Sequence, residues 1–315
     1  MALKTLHITN CYHATSGGVS TYYRALMRHA NEYGRPMRLI VPGDSEQVQQ
    51  FGDHCLIYSV PAKNTKVGDP RYRLMWPWGR TGKAIYKILR AEQADLIEIS
   101  DKYSLPIIAG ILRAGWIDGV RRPAVVGTSH ERLHDNLAIY LKFGALGEWM
   151  SRTMLGKYYW LMFDHHVANS PYTAGELLPA SQGHKVHRWL HVLPMGVDTD
   201  GLDPQKRSAA ARLELSARAG ISPDQKLVTY IGRLAPEKNL PLLLDMLEAL
   251  PKQFHLIIAG DGELRPWLVE QAEQRTPGRL HLLGHLQNRA SLAEVHAGAD
   301  VCVHPNHREP VGMAP

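Results

Sequence analysis

The chain has 315 residues, with 36 Lys and Arg against 30 Asp and Glu, a formal charge of +6 and 44% hydrophobic residues. At roughly 150 residues per domain this length predicts two domains, each able to bury a core, and the composition excludes a disordered or collagen-like chain. The modest charge shows no long run of one sign, and Cys11, Cys55 and Cys302 are dispersed with no Cys-x-x-Cys pair, which argues against a nucleic-acid partner, a disulfide framework and a cysteine-based zinc site.

Residues 1–10 lack the basic-then-apolar block of a signal peptide, and no apolar run approaches the roughly 18 residues that span a bilayer. A cytoplasmic chain is therefore expected. Short β-branched runs then alternate with segments of helical period, the pattern of a parallel sheet covered by helices. Strands are predicted at Thr5 to Thr9, Arg38 to Val41, Leu56 to Val60, Leu96 to Ile99, Ala124 to Gly127, His166 to Asn169 and His191 to Leu193. Helices are predicted at Val19 to Tyr33, Gly82 to Glu92, Leu105 to Ala114 and along an aromatic stretch from Leu137 to Met162.

Pro194-Met195-Gly196-Val197-Asp198, followed by Asp203-Pro204, forms a turn-rich crossing, so the expected domains are residues 1–198 and 199–315. The second series has strands at Leu227 to Ile231, His255 to Ala259, Leu280 to Leu283 and Val301 to His304, with helices at Leu240 to Leu250, Leu264 to Arg275 and Ser291 to Ala297. A doubly wound sheet normally adds a covering helix after its last strand. A chain ending at Pro315 is thus expected to carry an incomplete second domain, as a fragment of a longer protein.

Gly17-Gly18 sits between the first strand and the first helix, where backbone N–H groups can approach a phosphate, although a turn alone also accounts for it. No Gly-x-Gly-x-x-Gly is present, which disfavours a nicotinamide-dependent dehydrogenase. Gly232-Arg233-Leu234 ends a strand and Lys238 precedes a helix, so two cations can converge on one pyrophosphate or simply lie solvated in a loop. Gly260-Asp261-Gly262-Glu263 forms another strand-to-helix turn, and Glu309-Pro310-Val311-Gly312 follows the last strand. His130-Glu131-Arg132-Leu133-His134 matches His-Glu-x-x-His, which on a helix would make a zinc peptidase site, but here the motif starts at the end of a strand. Trp149, Tyr158, Tyr159 and Trp160 with Arg152 and Lys157 suit either core packing or an anionic membrane surface.

The ordered set resembles the family 4 glycosyltransferases of the GT-B fold. Pro194-Met195-Gly196-Val197-Asp198 resembles the family's Pro-x-Gly-Val-Asp crossing, Gly232-Arg233-Leu234 with Lys238 its Gly-Arg-Leu-x-x-x-Lys clamp, and Glu309-Pro310-Val311-Gly312 the start of its Glu-x7-Glu motif. The resemblance implies an α/β fold of two Rossmann-like domains facing a cleft, and a retaining transferase that uses a nucleotide-diphosphate sugar without a tightly bound metal or other cofactor. Arg233 and Lys238 would hold the diphosphate beside Gly232. Glu309 would bind the transferred sugar together with the backbone at Gly312 and Met313. Gly17 and Gly18 would lie near the phosphate, and His130 would face the sugar. The acceptor would be a glycan, a lipid or a small molecule, with peripheral contact at the inner membrane face. The second Glu of Glu-x7-Glu would fall two residues past Pro315, so this chain is expected to bind donor poorly. A nucleotide-sugar-binding remnant is the non-catalytic alternative.

Overall fold

The computed structural model of the chain describes residues 2–12, 18–64, 73–140, 144–181, 189–196, 202–286 and 288–306. It divides into two compact units, Met1–Met195 and Gly196–Pro315.

The first unit runs β1 (Thr5–Thr9), α1 (Gly18–Glu32), β2 (Met37–Gly43), β3 (Gln47–Phe51), β4 (Cys55–Pro61), β5 (Lys63–Asn64), β6 (Arg73–Leu74), α2 (Gly79–Glu92), β7 (Leu96–Ser100), α3 (Pro106–Arg113), β8 (Ala124–Ser129), α4 (Leu133–Tyr140), α5 (Gly144–Lys157), a 3-10 turn (Tyr159–Met162), β9 (His165–Ala168), α6 (Pro171–Ser181) and β10 (Leu190–Val192). Its main sheet has the order β10-β9-β8-β7-β1-β2-β4-β3, parallel throughout except for the edge strand β3. Because successive side chains on a strand point to opposite faces, β1 sends Leu6 and Ile8 into a core shared with α2 and α3. On the other side, Met37, Leu39 and Ile57 pack with Tyr23 and Met27 of α1. With both faces covered, these strands read as nearly continuous apolar runs.

The second unit runs α7 (Ala209–Ala219), β11 (Lys226–Ile231), a 3-10 turn (Pro236–Lys238), α8 (Pro241–Ala249), β12 (Phe254–Ala259), α9 (Arg265–Arg275), β13 (Leu280–Gly284), α10 (Arg289–Gly298) and β14 (Val301–Cys302). Its parallel sheet has the order β13-β12-β11-β14. Val228, Tyr230, Leu256 and Ile258 face the apolar side of α8 and α9, while Leu227, Ile231 and Ile257 pack with Leu215 of α7 and Val295 of α10. Pro241 and Pro266 occupy first-turn positions, where a helix needs no N–H.

The structure corrects several expectations. The single helix expected from Leu137 to Met162 is instead α4, α5 and the 3-10 turn. Gly156 weakens the end of α5, and the chain turns so that Tyr159 and Trp160 enter the core. Within the stretch considered for membrane contact, Trp149 stays exposed with Leu146 and Met150 on α5. The last strand is shorter than expected, pairing only Val228 with Val301 and Thr229 with Cys302 before Pro305. Five elements had no counterpart in the sequence reading: β3, the two-residue strands β5 and β6, α6 and α7. The last of these carries plain end signals, with the Ser208 side chain accepting from the Ala211 N–H and Gly220 in the left-handed region at φ 68°. No helix among the described residues is long and apolar enough to cross a membrane.

Candidate functional site

In each unit the strand order reverses next to the first strand. In the first unit the chain proceeds from β1 to β2 on one side and returns with β7 on the other; in the second, β11 lies between β12 and β14. Open α/β sheets bind ligands outside the carboxyl ends of strands at such reversals.

In the first unit β8 ends at Ser129, and His130 is the next residue. Its carbonyl accepts from Asn169 Nδ2 at 3.3 Å. Its ring meets the rings of Tyr22 and Tyr23 edge-on, at centroid distances of 5.5 and 6.5 Å. Both ring nitrogens are buried without a hydrogen-bond partner in the protein. Burial lowers the imidazole pKa to about 4, with Lys102 adding to the shift and Glu98 opposing it. A neutral imidazole with one N–H donor and one lone pair, both unused by the protein, is equipped to hydrogen-bond a polar ligand.

Behind His130 lies a buried contact between His7 and Glu98. Glu98 Oε2 is 2.6 Å from His7 Nδ1, and Glu98 Oε1 accepts from the Tyr23 hydroxyl at 3.2 Å. Burial opposes the charge on Glu98, but His7 and the bond it forms outweigh it and bring the carboxyl to about 2.

The loop bearing His130 is held by a second pair. Lys102, directly after Asp101 at the end of β7, bonds the Glu131 carbonyl and, at 2.9 Å, Glu176 Oε2 of α6. Glu176 also accepts from the Leu133 N–H, the His134 N–H and the Ser151 hydroxyl at 2.9, 2.7 and 3.0 Å. It thereby caps α4 and ties it to α5. Burial works against its ionisation, yet Lys102 and these donors hold its carboxyl below the usual range. Nearby, Asp101 accepts from the backbone N–H groups of Tyr103, Ser104 and Leu105, and Asn10 bonds both Asp101 and Ser104.

The His-Glu-x-x-His stretch is not helical, because α4 begins only at Leu133. The helical face that would have presented both histidines to one zinc ion is therefore missing. Among the described residues no three His, Cys, Asp or Glu side chains cluster as a metal site.

In the second unit Gly232 follows β11, and the Arg233 carbonyl accepts from the Tyr230 hydroxyl at 3.0 Å. The Arg233 guanidinium pairs with Glu237 one turn on. Lys238 ends the 3-10 turn and Asn239 takes the left-handed conformation at φ 52°, which turns the chain into α8. Asn239 Nδ2 also reaches the Pro305 carbonyl at 3.4 Å, joining this loop to the end of β14. Two glycines are required by close approach. A Cβ on Gly260 would lie 1.9 Å from the Gly232 carbonyl oxygen, and one on Gly262 would lie 2.3 Å from that of Leu234. These neighbours are backbone and cannot swing aside, so Gly260→Ala is expected to displace the Gly232-Arg233 turn at a cost of about 1–3 kcal/mol. Thermal melting compared with Gly278→Ala checks this, since a Cβ at Gly278 meets nothing within 4 Å although its φ of 71° adds local strain.

Thus the structure brings Gly232, Arg233 and Lys238 onto one loop, sets His130 at a strand terminus and starts α1 at Gly18. Gly17, Glu309, Gly312 and Met313 lie outside the described residues. Lys102, Glu176, Glu98 and Asp101 were not singled out in the sequence. Asp101-Lys102, a charged pair directly after an apolar strand, was the available signal, whereas Glu176 sits inside a helix with nothing to mark it.

Comparison with known proteins adds the family. The sequence profile described as Glycosyltransferase Family 4 matches residues 16–200, and that described as Glycosyl transferases group 1 matches residues 211–315. The chain is 28% identical to a GDP-mannose-dependent alpha-(1-6)-phosphatidylinositol dimannoside mannosyltransferase of Mycobacterium tuberculosis, over 99% of this chain and 76% of that protein. It is 34% identical to a D-inositol 3-phosphate glycosyltransferase of Xylanimonas cellulosilytica, over 39% of this chain and 31% of the relative. Among solved structures it resembles Anabaena HepE in complex with UDP and glucose, with TM-score 0.65 and 19% identity over 98% of this chain and 76% of that one. The catalytic domain of Starch Synthase IV from Arabidopsis thaliana, bound to ADP and acarbose, gives TM-score 0.65 and 14% identity over 100% of this chain and 80% of that one.

Proposed function

The chain belongs to glycosyltransferase family 4 and is a nucleotide-sugar glycosyltransferase; from that premise we propose that it transfers a hexosyl unit, with retention of anomeric configuration, from GDP-mannose to a hydroxyl of a glycan or glycolipid. The choice of donor is supported by two Mycobacterium tuberculosis relatives aligned over 99% and 93% of the chain, both GDP-mannose-dependent mannosyltransferases.

The observation that carries the reading is His130, whose unpartnered imidazole stands at the ligand-binding end of its sheet. As a neutral group it donates to a sugar hydroxyl without placing a cation beside the charge that develops at the anomeric carbon. Arg233 and Lys238 receive the diphosphate, with Arg233 exchanging Glu237 for phosphate oxygens. The anomeric carbon–oxygen bond to phosphate breaks, the acceptor oxygen bonds the same carbon from the same face, and its proton passes to the departing phosphate. Gly18, at the start of α1, lies where backbone N–H groups favour an anion. The family resemblance assigns Glu309, Gly312 and Met313 to the transferred sugar and Gly17 to the phosphate. The reaction takes place in the cytoplasm, and the exposed Leu146, Trp149 and Met150 of α5, flanked by Arg152 and Lys157, rest against an anionic membrane face.

The test is to incubate the chain with GDP-mannose and α-mannosyl acceptors and to assign the product by NMR. An α-linked product supports retention, and a β-linked product contradicts it. Because two protein cations neutralise the leaving group, activity is expected to persist in EDTA; loss restored by a divalent ion would contradict this part of the account.

His130 also predicts a pH response. Its folded pKa of about 4 lies below its ordinary 6.5, so between these values the unfolded chain binds a proton that the folded chain does not. Stability should therefore fall as pH drops from 6.5 to 4, by up to about 1.4 kcal/mol per unit for this one group. His166 shifts the same way and adds to the slope. Denaturant midpoints of the wild type and His130→Gln across this window should converge as pH falls.

A further inference from the structure

Trp76 and Trp78 are 42% and 57% exposed, yet their rings stack with centroids 5.3 Å apart and planes inclined by 29°. The segment that carries them is tightly fixed. The Met75 N–H donates to Asn10 Oδ1 at 2.8 Å, the Tyr86 hydroxyl to the Pro77 carbonyl at 2.8 Å, and the Gly82 N–H to the Trp78 carbonyl at 3.1 Å. A Cβ on Gly82 would lie 2.3 Å from the Pro77 oxygen, so this segment sits directly on the first turn of α2.

Asn10 follows β1 and also bonds Asp101. Asp101 in turn holds the Tyr103 N–H, and the Tyr103 hydroxyl reaches Glu131, next to His130. The indole pair is thus anchored at the carboxyl rim that carries His130. Leaving two indoles in water is costly unless a ligand covers them, and a rigid mounting removes the ordering cost of binding.

We propose that Trp76 and Trp78 form an acceptor platform for a pyranose ring, which makes the acceptor of the proposed transfer a sugar-bearing molecule. The inference rests on the transferase reading. The C–H face of a pyranose carries slightly positive hydrogens that match the negative face of an indole, while exposed Arg80 and Lys83 on the adjoining turn of α2 offer donors to ring hydroxyls. The fixed, stacked pair presents a face of ring size, which favours a single pyranose over an extended lipid surface.

The test uses methyl α-D-mannopyranoside and α-1,6-mannobiose as probes in saturation-transfer NMR, with wild type, Trp76→Ala, Trp78→Ala and, as a control, Trp116→Ala, which removes an indole 79% exposed elsewhere in the unit. Wild type and Trp116→Ala should bind the disaccharide, and each platform variant should bind it at least about tenfold more weakly, the equivalent of about 1.4 kcal/mol. GDP-mannose affinity should stay unchanged in all four, which separates failure of the platform from failure of the transferase reading. No binding to wild type, or equal binding to the platform variants, would overturn the proposal. So would loss of phosphatidylglycerol vesicle binding in those variants with sugar binding intact, which would assign the indoles to a membrane.

Discussion

Glu176→Ala is expected to lower stability by about 3–5 kcal/mol, the range for removing one partner of a buried ion pair. The carboxylate and the Lys102 ammonium are 4% and 2% exposed. Removing Glu176 leaves a buried cation whose remaining acceptor among the described residues is the Glu131 carbonyl, and strips partners from the Leu133 and His134 N–H groups and the Ser151 hydroxyl. At about 2–4 °C per kcal/mol for a unit of this size, the melting temperature should fall by roughly 6–20 °C. Lys102→Ala should cost less, because Glu176 keeps three donors. Glu176→Gln should be the mildest, since an amide oxygen still accepts. The His130 loop loosens with α4, so at temperatures where Glu176→Gln remains folded its transfer rate should drop more than its donor affinity. A melting temperature unchanged in Glu176→Ala would show that the pair does not hold this part of the unit.

Arg233→Ala is expected to lower kcat/KM by about 10²–10³-fold, the size of one charge-assisted contact to a departing anion in a site that excludes water. The loss has two sources. One cation on the phosphate disappears, and Glu237, otherwise neutralised by Arg233, is left as a carboxylate facing the same anion. Arg233→Lys should recover only part of the rate, because an ammonium cannot form the two parallel bonds of a guanidinium. Glu237→Gln removes the competitor and should tighten GDP binding. Single-turnover kinetics with calorimetric GDP binding separates these effects; Arg233→Ala with unchanged kcat/KM would exclude this loop from the donor site.

The parts of the fold legible in the sequence were those whose local chemistry agrees with their surroundings. β1, β7 and β12 are apolar because both sheet faces are covered, and their limits follow from the apolar runs. β3 was hidden because Gln47–Phe51 is a mostly polar edge strand whose exposed residues need no apolar pattern. α6 was hidden because Pro171 and Pro179 read as punctuation although Pro171 merely starts the helix. At the site, Arg233 and Lys238 were visible because a clamp of this kind lies within a few residues of one strand end. The Lys102–Glu176 pair spans 74 residues of sequence, and only the folded chain brings its halves together. His130 was visible through family resemblance, while its distinguishing property, a ring buried without a partner, depends on packing that no spacing encodes.

In the proposed donor complex the diphosphate of the nucleotide sugar lies on the loop between β11 and α8. Calorimetric titration of GDP-mannose, with UDP-glucose alongside, into wild type and Lys238→Ala tests it most directly. Weak but saturable one-to-one binding of GDP-mannose to the wild type is expected, in EDTA as well as without it, and at least tenfold weaker binding in Lys238→Ala. Equal affinity in the two proteins, or binding of neither nucleotide sugar to the wild type, would contradict it.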